Sequence, residues 1–390
     1  MTEFEKKIND ETSKQIFNNI LPIINELSYT YINNAKKLFS DEKYINSRKL
    51  SINWLPTSEI KAFASIRSDN TEEHSINISY GLIHKFYQDS SLFFHLCSNT
   101  FKDKLYDDFF EKIDFGQGRE HIIPLSLFSK FDKNLNIETK NRANDIQFIF
   151  NEILLTWLYL HEQAHLFQGH GMVAQDYFEE KNCNIFLNFD EFNINLSNEL
   201  SEQEAWVSHA FELSADFEAL NLTMQFIMKK SLDLYGKLEL SLSLFWVFVC
   251  SLAYIFEKFY GKQRESHNGI AKGTHPDPVI RFKYIHEHIS NLLDNEYTIK
   301  LYEEGKTRQD YENVLNHALK TVNLFFKILY TEENTITPLF QLNCYENTEL
   351  DYKYIKGINT TWKELRPIVM KYHFGYGDVS VMPIYDTSNL

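Results

Sequence analysis

Phe148-Ile149-Phe150-Asn151-Glu152-Ile153-Leu154-Leu155-Thr156-Trp157-Leu158-Tyr159-Leu160-His161-Glu162-Gln163-Ala164-His165 decides how this chain is read. Up to Leu160 the stretch is apolar on nearly all sides, which predicts a buried helix rather than an amphipathic surface one. Its end carries chemistry. His161-Glu162-x-x-His165 is an H-E-x-x-H motif. Residues four apart share a helix face, so both imidazoles can address one metal ion. Glu162 lies roughly 100° round the helix, which places its carboxylate beside a water on the metal rather than on the metal itself. Two neutral imidazoles plus an adjacent base are what zinc-assisted hydrolysis needs. Gly169 and Gly171 supply a helix stop. His170, just past it, is a cap, a group behind a ligand or a surface side chain.

Two His ligands call for a third protein ligand and an open position. The stretch Ser201-Glu202-Gln203-Glu204-Ala205-Trp206-Val207-Ser208-His209-Ala210-Phe211-Glu212-Leu213-Ser214-Ala215-Asp216-Phe217-Glu218-Ala219-Leu220 supplies candidates. Ser201 with Glu204 fits a capping box, so a helix is expected to start there and run to the neighbourhood of Lys230. Glu212 and Asp216 share a face. Glu212 is the expected ligand, and Asp216 the group that accepts the outer ring N–H of a metal-bound His. Glu204 competes, but its capping position and the lack of an Asp one turn on count against it. Glu202 and Glu218 are expected on a solvated face. Ala215 and Ala219 are small enough to let this helix sit close against the first. His209 faces roughly as Glu212 does. It either reaches substrate and oxyanion or is a satisfied interior histidine.

A third cluster is Thr274-His275-Pro276-Asp277-Pro278-Val279-Ile280-Arg281. Its prolines fix the approach to a helix. His275 and Arg281 there suit oxyanion stabilisation or carboxylate anchoring. A third His six residues after His165 would mark a metzincin, but Gln168 and Gly171 stand at the diagnostic positions.

Together these segments resemble the gluzincin metallopeptidases of the HtpX and CAAX prenyl protease type. The matching residues are His161-Glu162-x-x-His165 with His170, Glu212-x-x-Ala215-Asp216-x-x-Ala219, and Thr274-His275-Pro276 with Arg281. A weaker match is Ile76-Asn77-Ile78-Ser79-Tyr80-Gly81-Leu82-Ile83. The resemblance implies zinc on His161, His165 and Glu212, Glu162 as general base, Asp216 in support, and His275 and Arg281 near the site. It implies a mainly α (α+β) fold: a zincin-like core with a small mixed or antiparallel sheet, embedded in additional helices. The strand carrying Ile76, Ile78 and Tyr80 would bind substrate by backbone pairing. The layout also looks like the phage-exclusion Lit-type peptidases, which are soluble bacterial enzymes.

The rest of the chain bounds this reading. Its 390 residues, 43% hydrophobic with 32 Phe and 22 Tyr, can bury a large core. The expected organisation is a helical region over 1–70 with a loop around 41–58, a catalytic core over 71–295 with an insertion at 91–143, and a C-terminal helix with a small irregular lobe over 296–390. The stretch 182–198 is expected to be a strand or a flap. The net charge of −15, without a basic run, excludes nucleic acid as an expected partner. A protein or peptide substrate is expected instead. Four scattered cysteines and a charged N-terminus without a signal-peptide core point to the cytoplasm. The apolar segment 240–256 is at the short end for a membrane span, and a buried core helix is the preferred reading. The sequence therefore predicts a zinc-dependent endopeptidase. Its rivals are a narrowly targeted phage-defence or toxin-type protease and a catalytically silent, zinc-stabilised binding protein.

Overall fold

The computed structural model describes residues 33, 36, 49–55, 57, 59–67, 70–100, 142–179, 200–260, 269–329, 348–373 and 382–383. The strand or flap expected over 182–198 lies outside them. The fold is mainly α with a small mixed sheet, as expected.

Strands β1 (Lys49–Leu55), β2 (Ala62–Arg67) and β3 (Asn70–Ser79) form that sheet in the order β1-β3-β2. Strand β3 runs parallel to β1 and antiparallel to β2. Two expectations fail here. Residues 49–55 and 62–67 are strands rather than helix and loop, and a boundary at residue 70 would cut β1 and β2 from the strand they pair with. The signal for β1 is in the sequence: Leu50, Ile52 and Trp54 alternate with Ser51 and Asn53, and the more buried set packs on the core. Strand β3 is also central, so its backbone groups are spent on two neighbours and it has no edge to offer a peptide. Ile76 and Ile78 are fully buried between sheet and helices, and Tyr80 begins the next helix, stacked on Trp54. Substrate pairing along Ile76–Tyr80 is therefore excluded.

Strand β3 runs directly into α1 (Tyr80–Thr100). Ser79 makes the turn: its hydroxyl accepts the Leu82 N–H at 3.2 Å and donates to the Glu59 carbonyl at 2.6 Å. The metal-motif helix α2 (Arg142–Phe167) is buried from Phe150 to its end. A two-residue turn separates it from α3 (His170–Glu179), and Gly169 adopts φ +63° there. Helix α4 (Glu202–Tyr235) begins at the predicted Ser201–Glu204 capping box and outruns the expected end near Lys230, stopping at Gly236 in the left-handed conformation. Ala215 and Ala219 are fully buried, and α4 packs closely along α2.

Helix α5 (Leu242–Tyr260) is the apolar segment. Its Leu242–Phe259 window is long and apolar enough to cross a membrane, yet 94% of it is buried inside the fold. Asp89 of α1 reaches it through Tyr254 Oη at 2.6 Å and Lys258 Nζ at 2.7 Å. Helix α6 (Pro278–Leu293) starts from Asp277, whose side chain accepts the Val279 N–H at 2.7 Å, with Pro278 at the first helical position. Helix α7 (Arg308–Leu329) packs on α5, and the Trp246 indole donates to His317 Nδ1 at 2.9 Å.

Residues Glu349–Tyr372 form a 24-residue helix, α8, where an irregular lobe was expected. It lies against α3 and α4, with Trp362, Tyr354 and Ile358 buried beside Phe211. It is part of the same molecule as the metal-motif helices rather than an appended lobe.

Candidate metal centre

His161 and His165 leave the last turns of α2 on the face turned to α4, where Glu212 meets them. Their Nε2 atoms are 3.1 Å apart. Glu212 places Oε2 3.5 Å from His161 Nε2 and Oε1 3.5 Å from His165 Nε2. All three side chains are buried, and together they form a group that could hold a metal ion. A tetrahedral ion with bonds of about 2.0–2.1 Å separates its ligand atoms by about 3.3 Å. The observed edges straddle that value.

The surrounding polar contacts fix the ring tautomers. His161 Nδ1 lies 2.9 Å from Asp216 Oδ1, and a carboxylate only accepts, so this nitrogen carries the proton. His165 Nδ1 lies 2.8 Å from His170 Nδ1, and His170 Nε2 lies 3.0 Å from Gln168 Oε1. The Gln168 amide is oriented by its partners: its NH₂ faces the Ser214 carbonyl (3.1 Å) and Glu218 Oε2 (2.9 Å), both acceptors. Its oxygen must therefore accept from His170 Nε2–H. Burial, with the neighbouring His161 and His373 adding to it, holds the His170 pKa well below the usual histidine range, so the ring is neutral and its Nδ1 accepts. His165 Nδ1 then donates, and its Nε2 is a lone pair. Both Nε2 atoms and the Glu212 carboxylate thus converge as acceptors, the arrangement a cation satisfies.

Arg281 binds Asp216 in a fork, Nε to Oδ2 and Nη2 to Oδ1, both at 2.8 Å. Its Nη1 stands 3.6 Å from Glu212 Oε2, and its guanidinium carbon lies 5.0 Å from the ring centre of Phe259. The fork of Arg281 is directed at the protein's own Asp216. His275 Nε2 lies 3.8 Å from Glu212 Oε1, and its Nδ1 is 2.8 Å from Thr274 Oγ1. It is the remaining histidine at the edge of the ligand group. Ser208 of α4 holds its loop by donating to the Thr274 carbonyl at 2.6 Å.

His209 does not join them. Its Nδ1 meets the Tyr354 hydroxyl and its Nε2 the Lys272 carbonyl at 3.2 Å. Burial, reinforced by the charge of His275, lowers its pKa to about 3. Of its two expected fates, the satisfied interior histidine is the observed one. Glu162 is fully buried one residue after His161 and is not among the clustered ligand atoms. Two site-forming residues escaped the sequence reading. Gln168 looked like a mere spacing mismatch, and Glu218 was expected in solvent but is fully buried. The signal was faint: Glu218 sits four residues after Ser214, between Phe217 and Ala219, on a helix buried round most of its circumference.

No family model, curated protein or solved structure matches this chain.

Proposed function

We propose that the chain is a zinc-dependent endopeptidase with a gluzincin-type site on a zincin-like core. The observation that carries this reading is the triangle of buried acceptors, His161 Nε2, His165 Nε2 and Glu212, at tetrahedral spacing. Zinc bound there would polarise a scissile carbonyl and acidify a water. His161, His165 and Glu212 hold the ion, and Asp216 and His170 orient the two rings. Glu162 would serve as the general base and then as the acid toward the leaving amine. His275, 3.8 Å from Glu212 Oε1, would assist a developing oxyanion.

The geometry bears on whether the site is catalytic or only structural. A closed structural zinc site has four protein ligands. Among the described residues the ligand group has three, and His170 and His209, the candidates for a fourth ligand, are turned to other partners. That favours a catalytic site. A second reading rests on burial: the three ligands and Glu162 are at most 2% exposed. It makes the chain a zinc-stabilised binding protein.

One variant separates the two. Glu162→Gln should retain the metal, measured by elemental analysis, and lose hydrolysis of a labelled unfolded protein such as casein. Undiminished hydrolysis in that variant removes Glu162 from the mechanism. Metal-dependent stabilisation of a wild-type protein that cleaves nothing supports the second reading.

A further inference from the structure

The two histidine ligands are supported in different ways. His161 Nδ1 reaches a carboxylate directly, Asp216, which Arg281 of α6 holds in a fork. His165 is supported through a relay instead. Its Nδ1 donates to His170, His170 donates to Gln168, and the Gln168 amide donates to Glu218 Oε2 at 2.9 Å. The far oxygen, Glu218 Oε1, accepts from His373 Nε2 at 3.3 Å. His373 is the residue that caps the end of α8. The side chains of Glu218 and His373 are at most 3% exposed. Both histidine ligands therefore end on an α4 carboxylate, and each carboxylate is fastened by a different element: Asp216 by α6, Glu218 by α8.

We propose that Gln168 and Glu218 are positioning residues for His165, and that His373 fastens them, so that the end of α8 governs how tightly the centre keeps its metal. This rests on the metal-site reading above. The Gln168 amide, oriented by the Ser214 carbonyl and Glu218, sets the direction of the relay. A carboxylate at its far end makes Gln168 a better acceptor for His170, and His170 a better acceptor for the His165 N–H, which raises the electron density at His165 Nε2. The same chain fixes the ring plane. His170 adds rigidity, because it lies stacked 4.2 Å from Phe211 and cannot swing without losing that contact. Such outer groups typically contribute about 10–100-fold in metal affinity.

The test measures affinity for Zn²⁺ by competition with a chromophoric chelator, and the visible absorption of the Co²⁺ form, on the full chain. Glu218→Gln and Gln168→Met should each weaken Zn²⁺ binding about 10–100-fold and shift the Co²⁺ bands. His373→Gln should weaken it less, because one link remains beyond Gln168. Glu152→Gln is the control. It removes a buried carboxylate from the same pair of helices, one that meets Lys230 at 2.6 Å and, among the described residues, is not part of the histidine relay, so it should cost stability and leave affinity unchanged. A purely structural role for Glu218 would make the two Glu→Gln variants alike, with lowered melting temperatures and wild-type affinity. That result overturns the proposal. If Glu218→Gln does not fold, Gln168→Met and His373→Gln carry the same test, and wild-type affinity in both is equally fatal. A wild-type chain that binds neither Zn²⁺ nor Co²⁺ would instead overturn the metal reading itself.

Discussion

At the scale of single residues, the centre is built from charges that would be costly alone. Asp216 faces His161 Nδ1 at 2.9 Å and accepts two N–H bonds from Arg281, and all three groups are buried. Asp216→Asn keeps the size but offers a single acceptor oxygen and a surplus N–H pointing at donors. It should lower metal affinity about 10–100-fold. Removing one partner of a buried charge pair also destabilises by about 3–5 kcal/mol, so chemical denaturation of the metal-free protein should shift by that order. Arg281→Lys should behave similarly, because an ammonium cannot supply the fork. Wild-type affinity in Asp216→Asn would mean that His161 needs no orienting group. The i, i+4 spacing made Glu212 and Asp216 legible in the sequence, since both must follow wherever their helix face turns. Glu218 was not legible by that logic. It lies on a helix buried on several sides, and a sequence pattern does not say which flank of such a helix is wet.

At the scale of elements, the two glycines after the metal motif separate cleanly, although the sequence offered both as a helix stop. Gly169 is the stop. Its φ is +63°, and a Cβ there would stand 2.9 Å from Tyr372 Cβ and 3.1 Å from Met172 Cε. Gly171 lies exposed inside α3. Gly169→Ala should therefore destabilise by about 2 kcal/mol or more, from left-handed strain plus the displacement of α8. It should also loosen the metal, because the same turn aims His170 at His165. Gly171→Ala should be neutral or stabilise by up to about 1 kcal/mol, since alanine is the better helix former. Equal effects in thermal melts of the two variants would contradict the assignment. The helix ends were readable for a physical reason: capping boxes and left-handed glycines are local chemistry. The strands were harder. Strand β2, Ala62–Arg67, has six residues, and what decides its state is its pairing with β3. Helix α8 was missed because its sequence is polar and carries Pro367. Only the apolar surface of α3 and α4, invisible from within the segment, makes that stretch worth burying.

At the scale of the whole molecule, the tight core imposes a pH limit that does not depend on the metal. His209, His288 and His317 are buried, and burial holds their pKa values at about 3, about 4 and about 4. Each is neutral in the fold and protonates near 6.5 when unfolded. The unfolded chain therefore binds more protons below pH 6.5. Stability is full above that value and is lost as the pH falls through 6.5 toward 4. At pH 5 each histidine accounts for about 2 kcal/mol of loss, so the three together approach the whole stability of an ordinary domain, about 5–15 kcal/mol. Asp89, whose pKa is lowered despite burial by Lys258, works in the same direction only below the carboxylate range, so it does not confuse this window. Glu152, raised by burial, works the other way. His317 isolates one proton from the sum. Its Nδ1 accepts from the Trp246 indole joining α5 and α7, and an amide oxygen can do the same. His317→Gln should preserve that bond and remove the titration. Denaturation of the chelator-treated protein at pH 8 and pH 5 should show the wild type losing about 2 kcal/mol more than the variant. Parallel losses in the two proteins would mean that His317 protonates in the fold as readily as in water, and that the core is less dry than its packing implies.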